Sequence, residues 1–192
     1  MFLYRFIITI SISLCFSAYG YSQQYNYYFG DIHTHSSYSD GNDDHILTTP
    51  YEDFNYAKKS LHFDFLGISD HNHMLSPLNF HKGLNDADSA NENGKFVCLF
   101  GIEWGLFANG HVVIYGYDSL IGWEPGNYDV YNSETDYAGL FEKIAASQSA
   151  FALLAHPSTK HFSNLISSDY YSDADEAIVG MPYRSGKAYS TD

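Results

Sequence analysis

The sequence predicts an α/β fold, a barrel of alternating strands and helices with a polar site on the face formed by the strands' carboxyl ends. Three observations lead there. Short apolar runs alternate with helix-like segments, each of several apolar runs stops at a His or an acid, and those residues are hard or borderline metal donors. No internal repeat or low-complexity tract interrupts the pattern. A chain of 192 residues with 45% hydrophobic content suits one domain with its own core.

The first segment differs in kind from the rest. Arg5 precedes the apolar run Phe6–Phe16, which is too short to span a bilayer, and Ala18 and Gly20 offer a small-residue cleavage site. Residues 1–22 therefore read as a signal peptide. Export to the periplasm or the extracellular space follows, with no stable membrane insertion after cleavage. Removal of Arg5 and Cys15 leaves Cys98 as the single thiol, so no intrachain disulfide can form. Cys98 lies in the apolar run Phe96–Phe100 and is expected to pack as a small buried hydrophobe.

From there the elements alternate. Tyr27–His33 reads as a strand and Ser36–Asp44 as a polar loop. Thr49 and Pro50 are an N-cap and first helical residue, with Glu52 and Asp53 in the first turn of a helix that runs to about His62. Phe63–Ser69 is a second strand. Residues 76–94, rich in Asn and Asp, read as a weak helix and a loop. Lys95–Ile102 is a third strand ending at Glu103, and His111–Gly116 is a fourth. A loop through Gly122 and Gly126 leads to an amphipathic helix over Tyr137–Ala146. Ala150–Ala155 is a buried strand that stops at His156, and Ala177–Gly180 reads as one more.

Charge narrows the partners. With 9 basic against 23 acidic residues the net charge is −14, so the chain has no electrostatic footprint for gripping an extended nucleic-acid backbone. A small phosphorylated substrate held by bound cations is compatible with that charge, because the ions' own charge dominates such a site. The 18% aromatic content reads as packing rather than as a stacking platform. Oligomeric state is not legible.

The chemistry concentrates in a few stretches. His33-Thr-His35 places two imidazoles on one side of a strand end, where both can reach one cation. A His-x-His triplet alone is weak evidence, because ten histidines produce one readily by chance. The weight comes from Asp40, Asp70-His71, Glu103, His111 and His156 recurring at similar places. His73 forms a second triplet with His71, without the context of a nuclease of the type that triplet evokes. His45, His62 and His81 read as exposed and unpartnered, His161 as a surface residue, and Trp104 and Phe107 as core packing.

Taken together, DIHTHSSYSDG (31–41), GISDHN (67–72), GIEW (101–104) with His111, and AHP (155–157) resemble the PHP (polymerase and histidinol phosphatase) metallohydrolases in order and context. The resemblance covers about residues 28–160 and is nearest to the exported bacterial branch. It implies a distorted (β/α)7 barrel, with residues 26–192 forming the PHP domain, incomplete at its C-terminus. It implies two or three divalent ions (Zn, Fe or Mn) and hydrolysis of phosphomonoesters or phosphodiesters by a metal-bridging hydroxide. Carried over by residue, His33 and His35 bind a first metal and Glu103 bridges it to a second. His111 and His156 complete the second, while Asp40 and His71 serve a third. Glu103, His156 and Asp70 are the catalytic candidates, Asp70 as a partner that orients a ligand rather than as a ligand.

One departure goes with the resemblance. The family's last motif, Asp-x-His, has no counterpart, since no His follows His161. The expectation is an N-terminal portion of a longer protein, with the first and third metals short of ligands and weaker metal binding and folding. Two alternatives use the same residues: a carbonyl ester or carbamate hydrolase, and a truncated metal-binding module without turnover.

Overall fold

The computed structural model describes residues 25–41, 45–158, 160–167 and 170–182. The expected signal peptide, with Arg5 and Cys15, lies outside the described residues, as do positions 42–44 of the expected polar loop.

Six strands form one curled mixed sheet. They are β1 (Gly30–Thr34), β2 (Phe65–His71), β3 (Val97–Trp104), β4 (His111–Tyr115), β7 (Phe151–Ala155) and β8 (Ile178–Gly180), in the order β1-β2-β3-β4-β7-β8. Two short strands, β5 (Ile121–Gly122) and β6 (Val130–Tyr131), pair separately. Four α-helices occur among the described residues: α1 (Pro50–Tyr56), α2 (Pro77–Ala90), α3 (Tyr137–Ala145) and α4 (Ser172–Ala177).

This corrects the expected (β/α)7 barrel, because the sheet is a half-barrel with β1 and β8 as separate edges. The clearest departure is β4, which runs antiparallel to both β3 and β7. The reason is local. Parallel neighbours need a crossover of a dozen or more residues, whereas β3 and β4 are joined only by residues 105–110. Gly105 and Gly110 hold the left-handed backbone (φ 116° and 99°) that bounds this tight turn.

The helices form where their ends are capped. Thr49 accepts from the Glu52 amide and Glu52 answers the Thr49 amide, a complete capping box ahead of Pro50. A π-helical turn (Ala57–Leu61) then ends at His62 in left-handed conformation. Ser76 caps α2, and the stretch read as weak helix plus loop is helical for 14 residues. Its buried positions, Phe80, Gly83, Ala87 and Ala90, recur every three or four residues and so share one face. At Gly83 a Cβ would run into the Phe100 ring, so glycine lets helix and sheet meet. Asp136 caps α3, which buries Tyr137, Leu140, Phe141 and Ile144.

Alternation along the strands sorts the core into two layers. Phe100, Ile102, Trp104, Val112, Ile114 and Leu154 face the helices in the main cluster. Val113, Tyr115 and Ala155, with Ile32, Leu99, Phe151 and Leu153 packed on them, form a smaller cluster on the concave side. Cys98 is half-buried at the edge of the main core, and burial pushes its thiol up to about 12, so it is inert at neutral pH. No helix among the described residues is long and apolar enough to cross a membrane.

Candidate metal centre

Glu103 is the hub of the site. It follows Leu99 and Gly101 on the concave side of β3, and its side chain is 2% exposed. Its Oε1 lies 2.9 Å from His111 Nδ1, 3.1 Å from His156 Nε2 and 3.2 Å from His33 Nε2. Its Oε2 lies 3.2 Å from His71 Nδ1 and 3.3 Å from His35 Nε2. Asp40 stands outside this shell, with Oδ1 3.4 Å from His35 Nδ1 and Oδ2 3.5 Å from His71 Nε2. All seven residues proposed as ligands from the sequence therefore meet at one place.

The sheet brings them there. β1 ends beside His33 and His35, and parallel register sets His71 opposite Glu103. Because β4 runs the other way, its first residue, His111, lies at the same edge and pairs with Ala155, one residue before His156. His156 itself holds a positive φ of 31°, a costly conformation for a non-glycine residue. His111 and His156 stand together on one oxygen of Glu103, 3.2 Å apart. Asp40 and His71 share the far side with His35. His33 and His35 face opposite oxygens of the same carboxylate.

The donor set suits a cation. Donors around a zinc-sized ion at about 2.0–2.1 Å are about 3.3 Å from one another in a tetrahedron, close to the 2.9–3.3 Å separations around Glu103. His71 Nδ1 is buried without a hydrogen-bond partner, although Glu103 Oε2 is only 3.2 Å away. A ring nitrogen and a carboxylate that face each other without a hydrogen bond leave a place for a positive ion. Three overlapping triplets, His33–His35–Glu103, His35–Asp40–His71 and His71–Glu103–His111, have donors mutually within 4.8 Å. These buried His and Glu groups could hold a metal ion.

Electrostatics within the cluster are strong. Burial opposes charge on Glu103, but hydrogen bonds with His111, His156, His33 and His35 outweigh it and hold the carboxyl far below its usual range. Burial likewise works against a charged His35, yet Glu103, Asp40 and Asp70 together raise it. His71 is lowered, by burial first and then by its imidazole neighbours, which keeps it available as a neutral ligand.

Asp70 touches no imidazole directly. Its Oδ1 accepts from the Ser36 amide at 2.7 Å and the Ser39 hydroxyl at 2.6 Å, and its Oδ2 accepts from the Ser36 hydroxyl at 2.6 Å. Burial raises its pKa, partly offset by these three bonds. With its proton committed to Asp70, Ser39 Oγ presents a lone pair to His35 Nδ1 at 3.4 Å. The other neighbour of that nitrogen is the Asp40 carboxylate, also an acceptor. Both contacts favour a proton on Nδ1, which would leave Nε2, beside Glu103, as the nitrogen that a bound cation takes. Asp70 thus connects to His35 through Ser39 rather than directly.

His81, His161 and Phe107 depart from their expected places, whereas His45, His62 and Trp104 do not. His73 has its ring 5.3 Å from His71 and stacks 6.2 Å from Trp123, so it belongs to the rim of the site. His45 and His62 are exposed, but His81 pairs with Asp129 at 3.1 Å. His161 is half-buried, and its Nδ1 has no hydrogen-bond partner. Trp104 is core, as its position in β3 requires, whereas Phe107 is 77% exposed beside His111 and His156. The turn carries Phe107 off the strand, so strand alternation does not apply to it.

The chain matches no protein-family model, and no curated protein matches it either.

Proposed function

We propose that this chain is a metal-dependent hydrolase of the PHP type, acting as an exported phosphoesterase on small phosphorylated compounds or nucleotides. The observation that carries this reading is the placement of Glu103, a buried carboxylate with imidazoles gathered separately on each of its oxygens. That arrangement suits two divalent ions sharing one carboxylate, with Asp40 and His71 available to a third; Zn, Fe and Mn all fit mixed His and carboxylate donors. When bound, such ions supply an acidified water and neutralise charge on the phosphoryl oxygens.

The chain's own residues do the rest. His33, His35, His71, His111 and His156 would contribute neutral donors, so the charge of bound ions would be only partly cancelled. Glu103 would hold such ions with its two oxygens, and Asp70 would keep His35 in register through Ser39. His33 and His156, with side chains 30% and 31% exposed, and Asp40, with 55%, lie where a substrate would enter.

The experiment is direct. Protein loaded with Zn or Mn is expected to release aryl alcohol from an aryl phosphate monoester or diester, and Glu103→Gln is expected to remove that activity. Absence of turnover on both ester types by loaded wild type overturns the proposal. Turnover of aryl carboxylic esters alone reassigns the site to carbonyl chemistry, and retained metal without turnover of any ester makes the chain a binding module.

A further inference from the structure

Phe107 stands exposed beside the proposed metal ligands. Among the described residues, it is the one strongly exposed large hydrophobic side chain with ring contacts to proposed metal ligands. Its centroid lies 6.0 Å from His156 and 6.4 Å from His111, while 77% of its surface is open to solvent. A phenyl ring in water gains by being covered, because apolar surface is driven out of solvent.

Here the turn is tied down. Gly105 donates its amide to Asn72 Oδ1 at 3.3 Å, and Asn109 and Gly110 donate theirs to the Leu106 carbonyl at 2.9 and 3.1 Å. The Phe162 amide donates to the Asn109 carbonyl at 2.8 Å, and the Tyr137 hydroxyl donates to the Gly110 carbonyl at 2.6 Å. Gly110 packs so closely on His161 and Phe162 that a Cβ there would collide with both. The backbone of the turn is pinned from three sides, and the Phe107 ring stands exposed beside the proposed metal ligands. Such preorganisation lowers the cost of binding a flat apolar partner.

We propose that Phe107 forms an aryl-binding subsite, a platform on which an aromatic group attached to a metal-bound anion packs. The ligand class is an aryl-substituted phosphoryl compound, its phosphoryl oxygens at the donor cluster and its ring against Phe107. An offset or edge-on ring contact of this kind is worth about tenfold in affinity. The subsite rests on the metal-centre reading above, and it needs binding rather than turnover.

The test is titration calorimetry on the full chain loaded with Zn, using phenylphosphonate and methylphosphonate, neither of which can be hydrolysed as an ester. Wild type is expected to bind phenylphosphonate about tenfold more tightly, Phe107→Ala to reduce that preference to about twofold or less, and Phe107→Tyr to restore it. Methylphosphonate affinity and metal content are expected to be unchanged in both variants. A preference that survives Phe107→Ala, equal binding of the two ligands by wild type, or binding of neither overturns the subsite. Phenylphosphonate preference without turnover of either an aryl phosphate monoester or a diester overturns the phosphoesterase reading and leaves the subsite standing. Hydrolysis with no aryl preference does the reverse.

Discussion

On the convex side of β3, Phe100, Ile102 and Trp104 lie buried beneath the helices. One residue away, on the concave side, Leu99 and Gly101 lead to the buried carboxylate of Glu103. The same eight-residue strand thus anchors the fold with one set of side chains and presents the donor hub with the other. β4 repeats the arrangement, with Val112 and Ile114 in the main core and His111, Val113 and Tyr115 opposite. The lesson is that stability and chemistry are separated by strand alternation rather than by distance, so neighbouring substitutions should have unlike effects.

The sharpest break of that contrast comes at Glu103. Glu103→Gln is expected to abolish stoichiometric metal retention after dialysis, measured by elemental analysis, while the far-ultraviolet circular dichroism of the metal-free protein stays as in wild type. If the variant retains its metal, Glu103 is not the hub. On the other face, Phe100→Ala removes the ring that Gly83 admits and is expected to cost about 3–5 kcal/mol in chemical denaturation. Its folded fraction should still bind metal with wild-type affinity, and a parallel loss of affinity would show that the faces are coupled.

A smaller effect tests how the site is held. Ser39→Ala interrupts the link from Asp70 to His35 and is expected to weaken metal affinity about 10- to 100-fold, with Ser39→Thr recovering most of it. Competition with a chelator of known affinity measures the change. Unchanged metal affinity in Ser39→Ala would leave Ser39 with a packing role only.

Acid supplies a fourth test. Glu103 titrates far below its ordinary value of 4.5, so its contribution to metal-free stability is complete above that pH and is lost as pH falls toward the folded-state value. Unfolding free energy measured from pH 6 down to pH 3 should therefore drop less steeply for Glu103→Gln than for wild type, and equal slopes would contradict the assignment. The mildest effect is expected within the concave apolar layer, where Tyr115 donates to the Ile32 carbonyl at 2.8 Å. Tyr115→Phe should cost about 1 kcal/mol and leave metal binding untouched.

Much of the centre was readable without coordinates. His33, His35, His71, Glu103 and His156 sit at or just beyond the end of a short apolar run, His111 opens one and Asp40 lies in the polar loop after the first, and strand ends on one edge of a sheet are where such residues meet. The capping box at Thr49 and Glu52 is likewise a local signal, and α1 begins where it says. Length of connection is also legible: residues 105–110 are too few for a crossover, which argues against a purely parallel barrel.

What only the tertiary structure decided depends on contacts between segments distant in sequence. Asp70 reaches Ser36 and Ser39 across 34 and 31 residues, so its action through a hydroxyl has no local signature. Phe107 reads as core by composition, yet three outside segments pin the backbone of its turn and the ring stands exposed next to His156. The open half-barrel, with β1 and β8 as separate edges, is likewise a property of strand order and not of any one strand. The sequence by itself determined which residues could serve as donors, because residue type and strand-end position are local. The tertiary structure decided which oxygen of Glu103 each donor faces and what stands at the rim, because those depend on the register of chains that meet only when folded.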